Sequence, residues 1–496
     1  GGCPAYHAGE SYAAFGTSPG QLSQLAQGSA FLFQDEGAER RNYTMHLATM
    51  GGLLADTEYF YAVGGNASGW SLTFAFRTAP AYGKRPLVYA VYGDLGDFNG
   101  QVLPAVEAAT RRREIDMVLH VGDMAYNLQD DNGRNGDAFM RDIEPVAAAV
   151  PYMVSLGNHE NNANFNHYTQ RFRNMPSNSG NISFPPYGSV PNNWWYSWDS
   201  GLVHFVAVST EIYFDYPNLV PRQYEWLRAD LEAANRNRER VPWVVVHGHR
   251  PLYCSCDNDC NSAATTNRMG LKNGSSGFAY GLEELFYGYG VDLYLAGHEH
   301  DYERMFDVAP RYNSVIPYLS GKTTRSTVDP PATTYIVTGS AGSVESHEPF
   351  VLPRPLRSAA RLNTFGWSRM TVHNASHLFW EQLQTDNGAP RLWDTVVDSA
   401  WIVQRHHGPF ASHPKLRLFA AEPEDSATSN NDWAIEADVK PPSASAGECR
   451  RTGHGQQPHC GPGHDAAAMQ RLGLWQYTRA LAGGKEQTAA DRTLLV

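Results

Sequence analysis

Three things are scarce in this sequence, and each scarcity excludes something. The 496 residues contain no uninterrupted apolar run of the about 18 residues that a membrane-spanning helix takes. Basic charge is not in excess: 39 Lys and Arg stand against 51 Asp and Glu, a net charge of -12, which excludes nucleic acid as a main partner. There are only six cysteines, none in the paired CxxC spacing of a structural zinc site. Internal repeats are also missing. What remains has 42% hydrophobic residues and enough length for two or three domains, one of them with a substantial core.

Up to about Pro80, short β segments such as "SYAAFGTSP", "NYTMHLATM" and "SLTFAFRTAP" are separated by Gly, Ser and Asn turns. "LLADTEYFYAVGG" sets Leu54, Thr57, Tyr59 and Tyr61 in the pattern of a tyrosine corner, where a phenol hydroxyl ties a strand to the preceding crossover. Residues 1–80 therefore resemble an all-β fibronectin type III sandwich. Such folds use about 100 residues, so a partial sandwich lacking its opening strands is expected.

After "TAPAYGKRP" the rhythm becomes α/β. "PLVYAVYGDLGD", "IDMVLHVGDMAY", "VPYMVSLGNHE", "VPWVVVHGHRP" and "VDLYLAGHEHDYE" are five strand endings, with helical stretches such as "DAFMRDIEPVAAA" and "PRQYEWLRADLEAANRNRER" between them. "NNWWYSWDSGLVHFVAVST" predicts an antiparallel hairpin turning at Asp199, Ser200 and Gly201, and "TTYIVTGSAG" and "FGWSRMTVHNASHLFWEQLQT" are expected to complete a second sheet. The fold class is α/β, a two-sheet αββα sandwich over residues 84–404, followed by a largely irregular or disordered tail over 405–496. In that tail His454, His459, Cys460 and His464 match no standard metal spacing, and "AAAMQRLGLWQYTRALAGG" reads as a short amphipathic helix.

Each strand ending carries Gly immediately before a metal-competent residue: Asp94, Asp123, Asn158, His249 and His298. Functional groups in α/β sheets gather beyond the carboxyl ends of parallel strands, so one pocket can hold all five. The donor types divide between two metals. Carboxylate and phenolate oxygens suit a hard, high-valent ion, whereas imidazoles and an amide carbonyl suit a borderline divalent one. Asp123, central in chain order and with two oxygens, is the natural bridge, and the following turn returns Tyr126 toward the harder ion.

The blocks "GDLG", "GDMAY", "GNHE", "GHRP" and "GHEH" resemble, in order and approximate spacing, those of the purple acid phosphatases, a branch of the calcineurin-like metallophosphoesterases. "GHRPLYCS" and "TTYIVTGSAG" look more like the animal-type and related eukaryotic forms than the plant enzymes, which place two more histidines where this chain has "CSCDNDC". The resemblance implies that Asp94, Asp123, Tyr126 and His300 hold ferric iron and that Asn158, His249 and His298, with Asp123 shared, hold a divalent ion, Zn, Fe or Mn. His247, two residues before His249, is the rival for its place and a candidate substrate contact. His159 matches an outer histidine that contacts the phosphoryl group and assists the leaving oxygen. Arg250 and Tyr253 are candidate substrate contacts, with a cis-proline turn or aromatic packing as the alternative.

The implied reaction is hydrolysis of small phosphate monoesters by a metal-bound hydroxide, with no covalent enzyme intermediate. Two rivals stand beside it: a divalent di-metal phosphodiesterase of the same fold, and an inactive binding or adhesion protein. Asn42, Asn66, Asn181, Asn273 and Asn374 each begin an Asn-x-Ser/Thr sequon. Together with a local disulfide expected between Cys254 and Cys260, they point to a secreted or lysosomal-vacuolar glycoprotein; the chain begins at Gly1 without a signal-peptide segment, consistent with a leader removed or not included. Oligomeric state is not legible.

Overall fold

The computed structural model describes residues 11–97, 100–184, 188–256, 266–308, 323–385, 393 and 395–412. The expected tail, with its histidines and amphipathic segment, lies outside them beyond Ser412, as do Cys3, Cys260, Cys449 and Cys460.

The apolar runs Leu87–Tyr92, Met117–His120 and Tyr152–Val154 are buried almost throughout, which suits strands covered on both faces, and they pair in parallel. A second parallel set comprises Val203–Ala207, Trp243–His247, Leu293–Ala296 and Thr333–Thr338. Each set is the heart of a seven-stranded sheet. The sheets meet in one apolar core, where the Tyr89 ring lies 4.9 Å from that of Phe205. Helix Val220–Arg236 shows why its segment is helical: Pro221 opens it, and Val220, Gln223, Leu227, Leu231 and Ala234 form one buried stripe at three- and four-residue spacing.

Two expectations shift. Gly366–Asn374 and His377–Gln384 do not complete the second sheet; the first of them pairs antiparallel with Leu87–Tyr92, so the hairpin extends the first sheet, while Thr333–Thr338 does join the second. Alternation shows that a hairpin has one face in the core but not which sheet edge will receive it. The Tyr196–Ser200 and Val203–Ala207 hairpin pairs Ser200 with Val203, so its turn is Gly201-Leu202, with Gly201 at φ 55°.

On that hairpin His204 sits between two carboxylates, with Nδ1 2.7 Å from Asp199 Oδ1 and Nε2 2.9 Å from Asp230 Oδ2. Burial by itself lowers its pKa, but the two aspartates outweigh it and push His204 up to about 9. The charged imidazole therefore stabilises the fold fully below its unfolded value near 6.5, and that contribution is lost as pH rises through 9. Unfolding free energy is expected to fall by on the order of 2 kcal/mol between those limits, and His204→Leu to flatten that slope in urea titrations. An unchanged slope would remove His204 as the titrating group.

The N-terminal β module puts Tyr12–Gly16 between Gln24–Gln27 and Glu58–Gly65, with Gly69–Trp70 and Phe74–Arg77 also pairing Glu58–Gly65 and a separate Ser29–Gln34/Asn42–Leu47 hairpin. Its first described strand is thus paired on both sides. The tyrosine corner is present: the Leu54 amide donates to Tyr59 Oη at 3.0 Å. The module docks on the α/β part through polar links: Tyr61 Oη donates to the Ala148 carbonyl at 2.9 Å, and Asp35 Oδ1 lies 2.9 Å from His167 Nε2.

Candidate metal centre

Parallel strands present their carboxyl ends at one edge, and the seven ligand candidates follow those ends. Asp94 follows Leu87–Tyr92, Asp123 and Tyr126 follow Met117–His120, Asn158 follows Tyr152–Val154, His249 follows Trp243–His247, and His298 and His300 follow Leu293–Ala296. Asp94, Asp123, Tyr126 and His298 adopt left-handed backbone, at φ 60°, 51°, 48° and 72°. For side chains bearing a Cβ this costs on the order of 1 kcal/mol each and persists where the surroundings over-determine it. The preceding glycines answer a closer constraint. A Cβ on Gly157 would stand 2.1 Å from Asp123 Oδ1, and one on Gly297 would stand 2.3 Å from Asp94 Oδ2.

The donors converge as two groups. In one, ligand atoms of Asp123, His249 and His298 all lie within 4.8 Å of one another. Asn158 Oδ1 stands between the imidazoles, 3.0 Å from His249 Nε2 and 2.9 Å from His298 Nδ1. His249 Nδ1 is held 3.0 Å from the Val121 carbonyl, which turns Nε2 inward. In the other group Tyr126 Oη is 2.7 Å from His300 Nε2 and 3.4 Å from Asp94 Oδ1. The His298 amide donates to Asp94 Oδ2 at 2.9 Å and joins the two.

Charge tells the same story. Burial raises Asp94 well above the usual carboxylate range. For Asp123 burial works in that direction too, yet His249 beside it wins and holds it well below. Asp123 in return pushes His249 up to about 10 against the effect of burial. Burial, then Asp94 and Asp123, raise the Tyr126 phenol far above its ordinary value. Buried acids in such excess call for cations, and oxygen donors beside imidazoles suit a hard ion next to a borderline one, so the residues fit a two-metal centre.

His159 is on the open side, its side chain 23% exposed. Its amide donates to Asp123 Oδ1 at 2.9 Å, its Nδ1 is 3.1 Å from Asn127 Oδ1, and its ring lies 4.5 Å from that of Tyr126. Arg250 does not mark a cis-proline turn; the cis peptide among the described residues is Leu352–Pro353. Its guanidinium instead bridges Glu211 Oε2, at 2.9 Å, and His298 Nε2, at 2.8 Å.

Two substrate candidates fall away. His247 is fully buried, with Nδ1 2.6 Å from Ser155 Oγ, because the strand ends at His247 and the Gly248 turn carries only His249 to the sheet edge. Tyr253 is also buried: it donates to Glu283 and packs edge-on against Tyr335 at 5.0 Å, so it is a core aromatic. Cys254 is disulfide-bonded and Cys256 is a buried free thiol.

Several residues had no assigned role in the sequence. The Glu160 carboxylate accepts from the amides of Asp123 and Met124, each at 3.0 Å, and of Gly157 at 2.9 Å, tying two ligand turns together. Its signal was present in "GNHE", as an acid placed to cap a helix start. Glu345 reaches within 3.8 Å of both His159 Nε2 and His300 Nε2, and the His300 amide donates to Glu348 Oε2 at 2.5 Å. These two come from an irregular loop without periodicity, so nothing marked them.

Residues 87–302 match the calcineurin-like phosphoesterases, residues 332–391 an iron/zinc purple acid phosphatase-like C-terminal domain, and residues 4–78 the purple acid phosphatase N-terminal domain. The chain is 41% identical over 397 residues to acid phosphatase type 7 of Homo sapiens, covering 79% of this chain and 84% of that protein. It is 30% identical to purple acid phosphatase 18 of Arabidopsis thaliana, over 79% of this chain and 78% of the relative. In fold it is similar to the yellow lupin purple acid phosphatase PPD1, with a TM-score of 0.59, 22% identity and coverage of 85% of this chain and 73% of that one. A phosphoesterase core flanked by both companion domains, with this identity over most of the length, places the chain among the purple acid phosphatases, enzymes that hydrolyse phosphate monoesters at a binuclear metal centre.

Proposed function

We propose that the centre pairs ferric iron with a divalent ion, Zn, Fe or Mn, and hydrolyses small phosphate monoesters. Asp94, Asp123, Tyr126 and His300 would hold the iron; Asn158, His249 and His298, with Asp123 shared, would hold the divalent ion. Carrying this reading is the Tyr126 phenol, directed at His300 and Asp94 among buried acids, a donor suited to a trivalent ion. Two bound cations would neutralise phosphoryl charge and lower the pKa of the attacking water.

The chain's own residues do the rest. His159, at the open side, faces the phosphoryl group and passes a proton to the leaving oxygen. Arg250, anchored by Glu211, positions His298. Glu160 keeps the Asp123 and Asn158 turns in register. The partial fibronectin-like module of residues 1–80 is a companion domain, 84–404 the catalytic unit and 405–496 an appended tail. Secretion or lysosomal-vacuolar residence is supported by the bonded Cys254 and by exposure of all five sequon asparagines, Asn42, Asn66, Asn181, Asn273 and Asn374.

The visible spectrum tests the metal assignment. A tyrosinate-to-ferric charge-transfer band is expected in the unaltered protein and absent from Tyr126→Phe. Full metal occupancy without that band would overturn the ferric site and favour a divalent phosphodiesterase.

A further inference from the structure

Three acids alternate with the ligand histidines and Tyr302 in "GHEHDYE": Glu299, Asp301 and Glu303, none more than 1% exposed. Their surroundings belong to the segment after Tyr253. Glu299 Oε2 accepts from the Cys256 thiol at 2.8 Å, and Glu303 Oε1 accepts from Ser255 Oγ at 2.8 Å and from the Ser358 hydroxyl. Cys256 is itself a fully buried free thiol. Cys254 Sγ lies within 4.8 Å of Cys256 Sγ and a Glu299 oxygen, but it is disulfide-bonded and so is no donor.

Both oxygens of Asp301 and Oε2 of Glu303 are buried without a hydrogen-bond partner among the described residues. Such groups are costly in a protein interior, and each asks for an ion, a proton or a water. Charge shows where they point. Burial raises the Cys256 thiol, and Asp301 is the largest of the charges that add to it, ahead of Glu299 and Glu303. Burial likewise raises Asp301 well above the usual carboxylate range, with Glu303 and Glu299 as the next causes. The thiol and the three carboxyl groups therefore converge. Two cations border them: Arg361 acts on Asp301 and lies 3.4 Å from Ser255 Oγ, and Arg357 is within reach of Glu303 and Cys256.

We propose that Cys256, Glu299, Asp301 and Glu303 form a closed site for a further metal ion, a structural zinc, beside the binuclear centre. A thiolate donor selects zinc over calcium or magnesium, and four side chains suit its closed four-coordinate form. The charges also balance. Two positive charges on the ion meet four negative ones on its ligands, and the Arg357 and Arg361 guanidiniums make up the difference. Because Glu299 stands between His298 and His300, an ion held there fixes the turn that carries both histidines. The site does not depend on what the binuclear centre binds or cleaves.

The probes are zinc and cobalt(II) alone, added under non-reducing conditions to the full chain stripped of metal. A thiolate-to-cobalt charge-transfer band is expected in the unaltered chain and in Asp123→Ala, and its loss in Cys256→Ser. Zinc content should drop by one ion per chain in Cys256→Ser and in Asp301→Asn. Affinity at this site is expected to weaken by at least about a hundredfold, since even partners outside the ligand set are worth about 10–100-fold. Asp301→Asn keeps the side-chain shape and removes a buried charge, so circular dichroism should show an intact fold even where the thiol variant fails to fold. A band that persists in Cys256→Ser belongs to another cysteine and overturns the site. An unchanged zinc content in Asp301→Asn does the same, leaving the acids as buried neutral carboxyl groups. Failure to hydrolyse phosphate esters by a chain that shows the band counts against the phosphatase reading and leaves this site standing.

Discussion

Asp123→Ala is expected to abolish phosphatase activity and to empty the metal centre while the chain still folds. This is the largest functional effect expected of any substitution. The Asp123 carboxylate is buried, with Oδ2 3.2 Å from His249 Nε2 and Oδ1 accepting the His159 amide at 2.9 Å, and its charge raises the pKa of both Asp94 and Tyr126. A cation acting on the phosphoryl group supplies several kcal/mol, so kcat/KM is expected to fall by roughly a thousandfold or more. Asp123→Asn keeps the shape and the acceptor for the His159 amide but loses the charge, which separates electrostatics from packing. Metal analysis beside the activity assay checks the claim. A variant that keeps two ions per chain and most of its activity would displace Asp123 from the bridging position.

Glu160→Ala should carry the largest loss of stability. The carboxylate is 1% exposed and accepts three backbone amides, so truncation leaves three buried donors without a partner. At about 1–3 kcal/mol for each buried orphan, unfolding free energy is expected to drop by about 3–9 kcal/mol in urea titration. Glu160→Gln keeps part of the acceptor set and recovers part of the loss. Metal affinity should fall as well, because two of those amides belong to Asp123 and Gly157. A loss below about 1 kcal/mol would show that water replaces the carboxylate and that the turns hold themselves.

Those two residues also measure what could be read in advance. Asp123 was legible because its block repeats a pattern: apolar strand, glycine, metal-competent side chain. Five such endings in one chain converge when the strands are parallel, and the strands Leu87–Tyr92 to Leu293–Ala296 do end at one edge. Glu160 sat in a quoted block without a role, since its partners are amides 36 and 37 residues away in the chain. His247 and His249 were indistinguishable by periodicity, as residues two apart share a strand face. The strand ends at His247, which leaves that residue in the core and carries His249 to the cluster of candidate donors. Tyr253 was a candidate substrate contact with aromatic packing as the alternative, and it packs in the core because Glu283 and Tyr335, both distant in sequence, close over it.

By itself the sequence determined which side chains stand at the strand ends as candidate donors, the strand-turn pattern that carries them and the α/β class, because each depends on residues within a few positions of one another. Tertiary structure decided which sheet took the late hairpin and how Glu211, Glu345 and Glu348 join the centre. Those outcomes depend on pairings between segments far apart in the chain, where local periodicity carries no information about the partner.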